Sequence, residues 1–246
     1  MTGVPGRQNG VTLGELSAKY PRLYHMAARD SWKSIRKYGL LSTSRLLDLF
    51  EIAPPLRAAI ELTRRPNSVP LEHKVHGRVV VRDQKPLSES KLKDCLKDCD
   101  TVTWFRMLNG RVFFWLDLER LKTMMSAREY RGKTHTVLTV DTEALVRYYE
   151  NKITLCPLNS GNTSPYAHPR GLDSFHKLST YPFKERFRKG DYYCVVELAV
   201  KDGVPDIAKY ALRVAHCSCR GGQLRTSRIL YKAPQDARRM SCGATR

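Results

Sequence analysis

The chain has 246 residues, of which 41% are hydrophobic and 27% charged, and its formal net charge at pH 7 is +19. This length and hydrophobic content can supply a substantial buried core, and no long linker divides the chain. No stretch approaches the roughly 18 apolar residues that a membrane span needs, and residues 1–10 lack the apolar segment of a secretory signal. We therefore expect a cytoplasmic protein with no membrane partner.

The positive charge is spread over nearly every region and includes Arg238, Arg239 and Arg246 near the end of the chain. A field of this size attracts polyanions and accelerates their encounter with the protein. The charge therefore favours nucleic acid as a partner. A basic surface that only confers solubility and an acidic protein partner are the alternatives.

The seven cysteines are scattered, odd in number and unaccompanied by a secretion signal, so the sequence predicts reduced thiols. The set His216, Cys217, Cys219 and Cys242 could in principle hold zinc. Its spacing fits no common structural zinc site, which usually pairs two CxxC-like knuckles. We therefore predict no metal.

In chain order, a short helix within residues 1–20 precedes a strand that ends near His25. A short amphipathic helix follows, with Trp32 and Ile35 on one face, and Gly39 ends it. Hydrophobic spacing, capping residues and prolines then predict the next elements. These are helices at about 44–53, 56–64 and 88–97 and a strand at 79–81.

In the second half, aromatic and β-branched runs predict strands at 111–115, 136–140, 153–155 and 192–200. Helices are predicted at 118–127 and from about residue 142. A polar segment of roughly twenty residues without clear structure lies after residue 156, and such loops are more often functional than idle in compact domains. We predict one domain over residues 1–221 and a basic, disordered tail over 222–246.

Glu197 is a carboxylate in an otherwise apolar strand, Tyr192–Val200. Strand alternation places it on the face of Tyr193 and Val195, away from Cys194 and Val196. A buried carboxylate is costly and persists when it is paired or functional. The sequence thus predicts a functional role for Glu197, and the alternatives are a solvent-facing edge strand or an ion pair with an arginine.

Three segments in this order carry a resemblance to a known family. His25 is followed by a Ser34-Ile35-x-x-x-Gly39-Leu40 helix, then by the aromatic strand 112–115, then by Glu197-Leu198-Ala199-Val200 and a Val204-Pro205 turn. This succession resembles the ADP-ribosyltransferase superfamily and is similar to the DarT-type enzymes, which transfer ADP-ribose from NAD onto DNA bases. The resemblance covers three islands of the chain and leaves the rest unaligned.

The resemblance implies an α+β fold in which a split, mostly antiparallel pair of small sheets and surrounding helices form an NAD cleft. It implies an NAD-dependent mono-ADP-ribosyltransferase that acts on nucleic acid, a bacterial toxin or phage-defence effector with an antitoxin protein as a candidate partner. His25, with Met26 beside it, would hold NAD, Phe114 and Tyr130 would form the nicotinamide floor, and Glu197 would be the catalytic carboxylate.

Substrate contacts are predicted less directly. The family's arginine in a Pro-Arg-x-Pro-Met context has no clear counterpart here, and Arg82 and Arg120 are the candidates for its role. The family's corresponding loop presents the acceptor, so Asn159 and Arg170 are candidates for base or phosphate contacts. The tyrosines and cations around residues 184–193 favour single-stranded nucleic acid, which binds by stacking and charge.

Two alternatives remain open from the sequence. One is an RNA 2'-phosphotransferase of the KptA type, which also uses NAD but does not need this glutamate. The other is a non-catalytic nucleic-acid-binding module, which gains nothing from a carboxylate aimed at its anionic ligand. If the transferase interpretation holds, His25 and Glu197 must face one cleft although 172 positions separate them.

Overall fold

The computed structural model describes residues 10–190 and 194–234, which form a mixed α+β structure. The helices are α1 (Leu13–Lys19), α2 (Trp32–Tyr38), α3 (Thr43–Leu49), α4 (Pro54–Glu61), α5 (Glu89–Cys95), α6 (Thr101–Asn109), α7 (Leu118–Ser126), α8 (Thr142–Tyr149) and α9 (Phe183–Arg188). The strands are β1 (Arg22–Ala27), β2 (Leu40–Leu41), β3 (Val69–His73), β4 (Gly77–Val81), β5 (Arg111–Trp115), β6 (His135–Asp141), β7 (Ile153–Cys156), β8 (Glu197–Lys201), β9 (Gly203–Val204), β10 (Ala211–Arg220) and β11 (Gln223–Lys232). Among these described helices, none has the length and apolar character that a bilayer crossing requires.

Seven strands form one antiparallel sheet in the order β11-β10-β6-β1-β5-β8-β7. Two further antiparallel ribbons, β2–β9 and β3–β4, stand apart from it. The expected α+β class is confirmed in this coarse form. The expected pair of separate small sheets is corrected to one large sheet with two ribbons.

The large sheet has a seam between β1 and β5. These two strands pair only at Tyr24 and Trp115, whereas β1 pairs with β6 along its whole length from Arg22 to Ala27. Past Tyr24 the two strands separate, and the His25 side chain, rather than a backbone amide, bonds the Phe113 carbonyl. The four-stranded and three-stranded parts of the sheet therefore share one backbone pair, and the His25 side chain adds a second link.

Both faces of β1 are covered. Along β1, Leu23 and Ala27 point into the main hydrophobic core, while Met26 packs with the buried Leu121 and Met125 of α7. This is the two-residue alternation of a strand buried on both faces. The position of His25 at the seam follows from the same alternation, because it shares the face of Leu23 and Ala27.

Several predicted boundaries differ from the structure. Pro54 and Pro55 begin α4 instead of ending the preceding helix, because proline fits the first helical turn, where no backbone donor is needed. Helix α6, which was not predicted, starts after Asp100, whose side chain accepts from the Thr103 amide. Strand β8 starts at Glu197, and the first residues of the predicted 192–200 strand, 192 and 193, lie outside the described residues.

The predicted disordered tail from residue 222 is wrong over its first half. Residues 223–232 are strand β11, paired with β10 along its length, so a domain boundary at residue 221 would cut a hairpin. Gly221 and Gly222 form its two-residue turn, with φ of 55° and 72°. Turns of this kind need positive φ at both central residues, which glycine supplies without strain. Arg238, Arg239 and Arg246 lie outside the described residues.

Candidate functional site

A cavity of about 640 Å³ lies at the seam. Its walls come from β1 and β5, the turn after β1 together with α2, and the β3–β4 ribbon. The loop at 159–162 and the start of β8 complete them. This volume is within the range of about 300–1,000 Å³ that small-molecule and cofactor sites occupy. Six of the predicted site residues line it: His25, Met26, Arg82, Tyr130, Asn159 and Glu197.

His25 is held in one orientation and one protonation state. Its Nδ1 lies 2.8 Å from the carbonyl oxygen of Phe113, and since a carbonyl only accepts, Nδ1 carries the proton. Burial, with a smaller contribution from the charge of Arg82, lowers the pKa of His25 to about 4, although the bond to Phe113 acts in the opposite direction. The imidazole is therefore neutral at pH 7, and Nε2 is left as an acceptor for a ligand hydroxyl.

Glu197 begins β8 and is only 3% exposed. Its Oε2 accepts from the Ser160 amide at 3.0 Å and from the Ser160 hydroxyl at 2.6 Å. Burial raises the pKa of Glu197 to about 7, although the Ser160 bonds and the charges of Arg170 and Arg120 act in the opposite direction. A carboxyl with a pKa near the working pH is suited to accept a proton during a reaction.

This raised pKa predicts a pH-dependent stability difference. Between the ordinary value of 4.5 and about 7, the folded protein binds more protons at Glu197 than the unfolded chain, so stability falls as pH rises through this window. Glu197→Gln keeps the acceptor oxygen for Ser160 but cannot ionise. We expect its free energy of unfolding, relative to wild type, to increase by on the order of 3 kcal/mol from pH 4 to pH 8.

Urea denaturation of both proteins across this pH range measures the difference. Glu150→Gln, at an exposed position on the short turn before β7, is the matched control and should follow wild type at every pH. A constant difference between Glu197→Gln and wild type would show that Glu197 is ionised in the fold as easily as in water.

Arg170 is buried inside the loop after β7 and does not line the cavity. Its side chain is 1% exposed and donates to the carbonyls of Asn159, Ser160 and His168 at 3.3, 3.1 and 3.0 Å. The predicted contact of Arg170 with a base or phosphate is therefore wrong for this structure. Arg170 instead fixes the loop that carries Ser160, and Ser160 in turn holds Glu197.

Arg82 combines fixed contacts with one free donor. Its Nη1 donates to the Met26 carbonyl at 2.9 Å, and the guanidinium lies 5.1 Å from the centre of the Tyr130 ring. Its Nη2 is buried and has no hydrogen-bond partner among the described residues. Buried donors are almost always satisfied, so an unpaired guanidinium nitrogen at a cavity wall is suited to an anionic ligand group.

Tyr130 lies in the turn after α7, and its hydroxyl donates to Asp83 Oδ1 at 2.6 Å. Its ring meets His135 edge-on at 5.9 Å. Because Arg82 covers the ring and Asp83 takes the hydroxyl, Tyr130 is fixed at the cavity wall. Tyr130 thus lines the cavity, and its predicted contact with nicotinamide stays a prediction.

Phe114 is not at the cavity. It is fully buried in the main core, with its ring 5.7 Å from that of His25, and its neighbours Phe113 and Trp115 line the cavity instead. Alternation along β5 sends neighbouring side chains to opposite faces, and the sequence did not show which face was the cavity's. The rings of β5 that line the cavity are therefore Phe113 and Trp115 and not the predicted Phe114, which packs beside the His25 ring.

A second cavity of about 450 Å³ adjoins the first, and both are lined by Asn159 and Asn162. Arg120 and Val196 contribute to its wall, and so does Tyr166, whose ring is 77% exposed. Arg120, the other predicted candidate for the family arginine, therefore acts on Glu197 from this side through its charge.

Ser160 is the main functional residue that sequence reasoning did not single out. The sequence around it predicts only a polar loop, and no local signal connects residue 160 to a strand that starts 37 positions later. Among the described residues, no group of three or more histidine, cysteine or acidic side chains is arranged to hold a metal ion. Cys242 of the zinc candidate set lies outside the described residues.

Comparison with known proteins gives a family assignment without a function. A search of curated proteins found no match. Residues 21–211 match the model of DUF7002, described as a family of unknown function. The matched region begins just before β1 and ends at the start of β10, so it includes every residue that lines the two cavities. The chain therefore belongs to DUF7002, a family of unknown function.

Proposed function

We propose that this protein is an NAD-dependent mono-ADP-ribosyltransferase that acts on nucleic acid. One observation carries the proposal: His25 and Glu197, 172 positions apart, line one cavity from strands on either side of the seam. The resemblance to the ADP-ribosyltransferase superfamily requires this proximity. The sheet is continuous, and the cavity lies where its strands β1 and β5 separate.

The cavity supplies the groups that NAD would use. The free Nε2 of neutral His25 would accept from a ribose hydroxyl. The unpaired Nη2 of Arg82 would donate to a phosphate oxygen of the dinucleotide. Trp115 and Tyr130 provide apolar ring surface for nicotinamide.

The reaction would break the bond between the ribose C1' of NAD and the nicotinamide nitrogen, and nicotinamide would leave as a neutral molecule. The ribose then carries positive charge, which an ionised Glu197 stabilises. A nucleophilic atom of the acceptor bonds C1' and gives up its proton, which Glu197 accepts. Ser160 keeps the carboxylate in place for both roles.

The acceptor would approach from the second cavity. Asn159 lines both cavities, so it lies between an NAD site and an acceptor site. The exposed ring of Tyr166 and the cationic Arg120 in this wall fit a single-stranded base and its phosphate. A bacterial toxin or phage-defence effector, controlled by an antitoxin, would be a biological setting for this activity.

Glu197 also separates this proposal from its alternatives. A KptA-type phosphotransferase does not need the glutamate, and a non-catalytic nucleic-acid binder gains nothing from it. A buried carboxyl with a raised pKa carries a cost in stability that neither alternative explains. The transferase is therefore the function that this cavity supports best.

Incubation with NAD labelled in the adenylate part, together with separate pools of single-stranded DNA, RNA and protein, tests the proposal. We expect label to become covalently attached to nucleic acid and nicotinamide to be released in equal amount. Transfer to protein alone would overturn the nucleic-acid acceptor. Nicotinamide release that depends on a 2'-phosphorylated RNA and removes its phosphate would establish the phosphotransferase instead.

A further inference from the structure

The β10–β11 hairpin is a strongly basic surface outside the two cavities. Between Asp206 and Asp236 the sequence has six lysines and arginines and no acidic residue. The hairpin forms one end of the described sheet, because β11 pairs with β10 alone. Most of β11 is exposed, including Arg225 and Arg228.

The cations of this hairpin are available to a ligand. Within residues 10–190 and 194–234, the side chains of Arg220, Arg225 and Arg228 make no ion pair and no hydrogen bond. Structural arginines are normally paired, as Arg170 and Arg82 are in part. Unpaired arginines on one hairpin instead form an electrostatic footprint for a polyanion.

The register of the sheet places this surface on the side of the main cavity. Ala27 of β1 pairs with Thr136, Thr136 with His216, and His216 with Arg228, so the four side chains share one face. Ala27 lines the main cavity. With neighbouring strands about 4.8 Å apart, Arg228 lies three strands, or roughly 14 Å, from the cavity wall.

Basic side chains also lie between the hairpin and the cavity. His216 Nε2 lies 3.1 Å from Asp30, and Asp30 lies 3.5 Å from Arg29. Both Asp30 and Arg29 line the cavity, and both are exposed. Asp30 therefore has two basic neighbours, His216 and Arg29. Arg29 also extends the row of basic side chains from β11 to the cavity opening.

We propose that the β10–β11 hairpin, through Arg220, Arg225 and Arg228, is a docking surface for the phosphate backbone of nucleic acid. It would hold the backbone of an acceptor strand outside the main cavity, while the reacting base enters from the second cavity. The surface extends the proposed function by locating where the polyanion is held, but its binding requires neither NAD nor Glu197. Its success or failure is thus separate from that of the transferase proposal.

Fluorescence anisotropy with a labelled single-stranded 20-mer tests the surface across a range of salt concentrations. The double variant Arg225→Ala, Arg228→Ala should bind about tenfold more weakly at low salt, and the slope of log affinity against log salt should fall by about 1.4, two released contacts at about 0.7 each. Lys93→Ala, Lys152→Ala removes the same charge from exposed sites on α5 and before β7, and should bind as wild type does.

Unchanged affinity and slope in the hairpin variant would overturn the proposal, and so would an equal loss in the lysine control. Displacement of the oligonucleotide by poly-glutamate as readily as by unlabelled oligonucleotide would assign the surface to acidic proteins instead. Stabilisation of the variant by NAD, measured by thermal unfolding, shows that the cavity is intact. Loss of transfer in a Glu197 variant that still binds the oligonucleotide would support both conclusions, because binding at the hairpin does not require the carboxylate.

Discussion

Glu197→Gln is expected to lower the rate of ADP-ribose transfer by about 10²–10⁴-fold, the range typical of general acid–base groups, while NAD binding persists. Gln can still accept from Ser160, so the loop keeps its shape, but it can neither stabilise a positive ribose nor accept a proton. His25→Ala should instead lose most of the NAD binding, because it removes the acceptor that would hold the ribose. Labelled-NAD transfer measures the rate, and the rise in melting temperature with NAD measures binding.

Glu150→Gln, an exposed change of the same chemistry, should keep both transfer and the NAD-dependent rise in melting temperature. Equal loss of NAD binding in the His25 and Glu197 variants would mean that Glu197 is structural. Full transfer activity of Glu197→Gln would remove the catalytic role proposed for Glu197. Of the other described carboxylates that line the cavity, Asp30 and Asp83 are more exposed than Glu197.

Arg170→Ala is expected to destabilise the fold by about 3 kcal/mol, the scale of breaking a buried charged hydrogen-bond network. The change leaves the carbonyls of Asn159, Ser160 and His168 without their donor and opens a void beside Trp104, whose ring lies 5.9 Å from the guanidinium. Urea denaturation measures the loss. Transfer activity should fall as well, since Ser160 would no longer position Glu197.

Arg170→Lys should recover only part of the stability, because an ammonium lacks the planar fork that reaches several carbonyls at once. Arg36→Ala, at an exposed position of α2, removes the same charge and should leave stability within about 0.5 kcal/mol of wild type. An Arg170→Ala protein with wild-type stability and weakened oligonucleotide binding would restore the direct acceptor contact that the sequence predicted.

Local patterns in the sequence were enough for most of the elements that build the site. Aromatic and β-branched runs predicted β5, β6 and β7, and the strand carrying Glu197 was recognised although it starts later than expected. His25 and Glu197 were singled out because of their order in the chain and, for Glu197, the cost of burying a carboxylate. Both residues line the cavity. The sequence could identify them because these signals depend only on neighbours along the chain.

The errors arose where the decisive contacts are distant in sequence. A basic residue in a polar loop was assigned to a ligand, yet Arg170 is buried because it satisfies carbonyls that only the folded loop brings together. Basic composition suggested disorder after residue 221, but pairing with β10 orders 223–232. Charge composition alone does not show that a segment pairs with a neighbouring strand.

The sequence by itself determined that the protein is α+β, that it is strongly basic, and that one histidine and one buried carboxylate have unusual surroundings. Only the tertiary structure decided that β1 and β5 separate to leave a cavity, that Phe113 and Trp115 rather than Phe114 line it, and that Ser160 holds Glu197. The physical reason is that alternation and propensity specify two faces of a strand but not their surroundings. Those surroundings are set by sheet register and by hydrogen bonds between residues far apart in the chain.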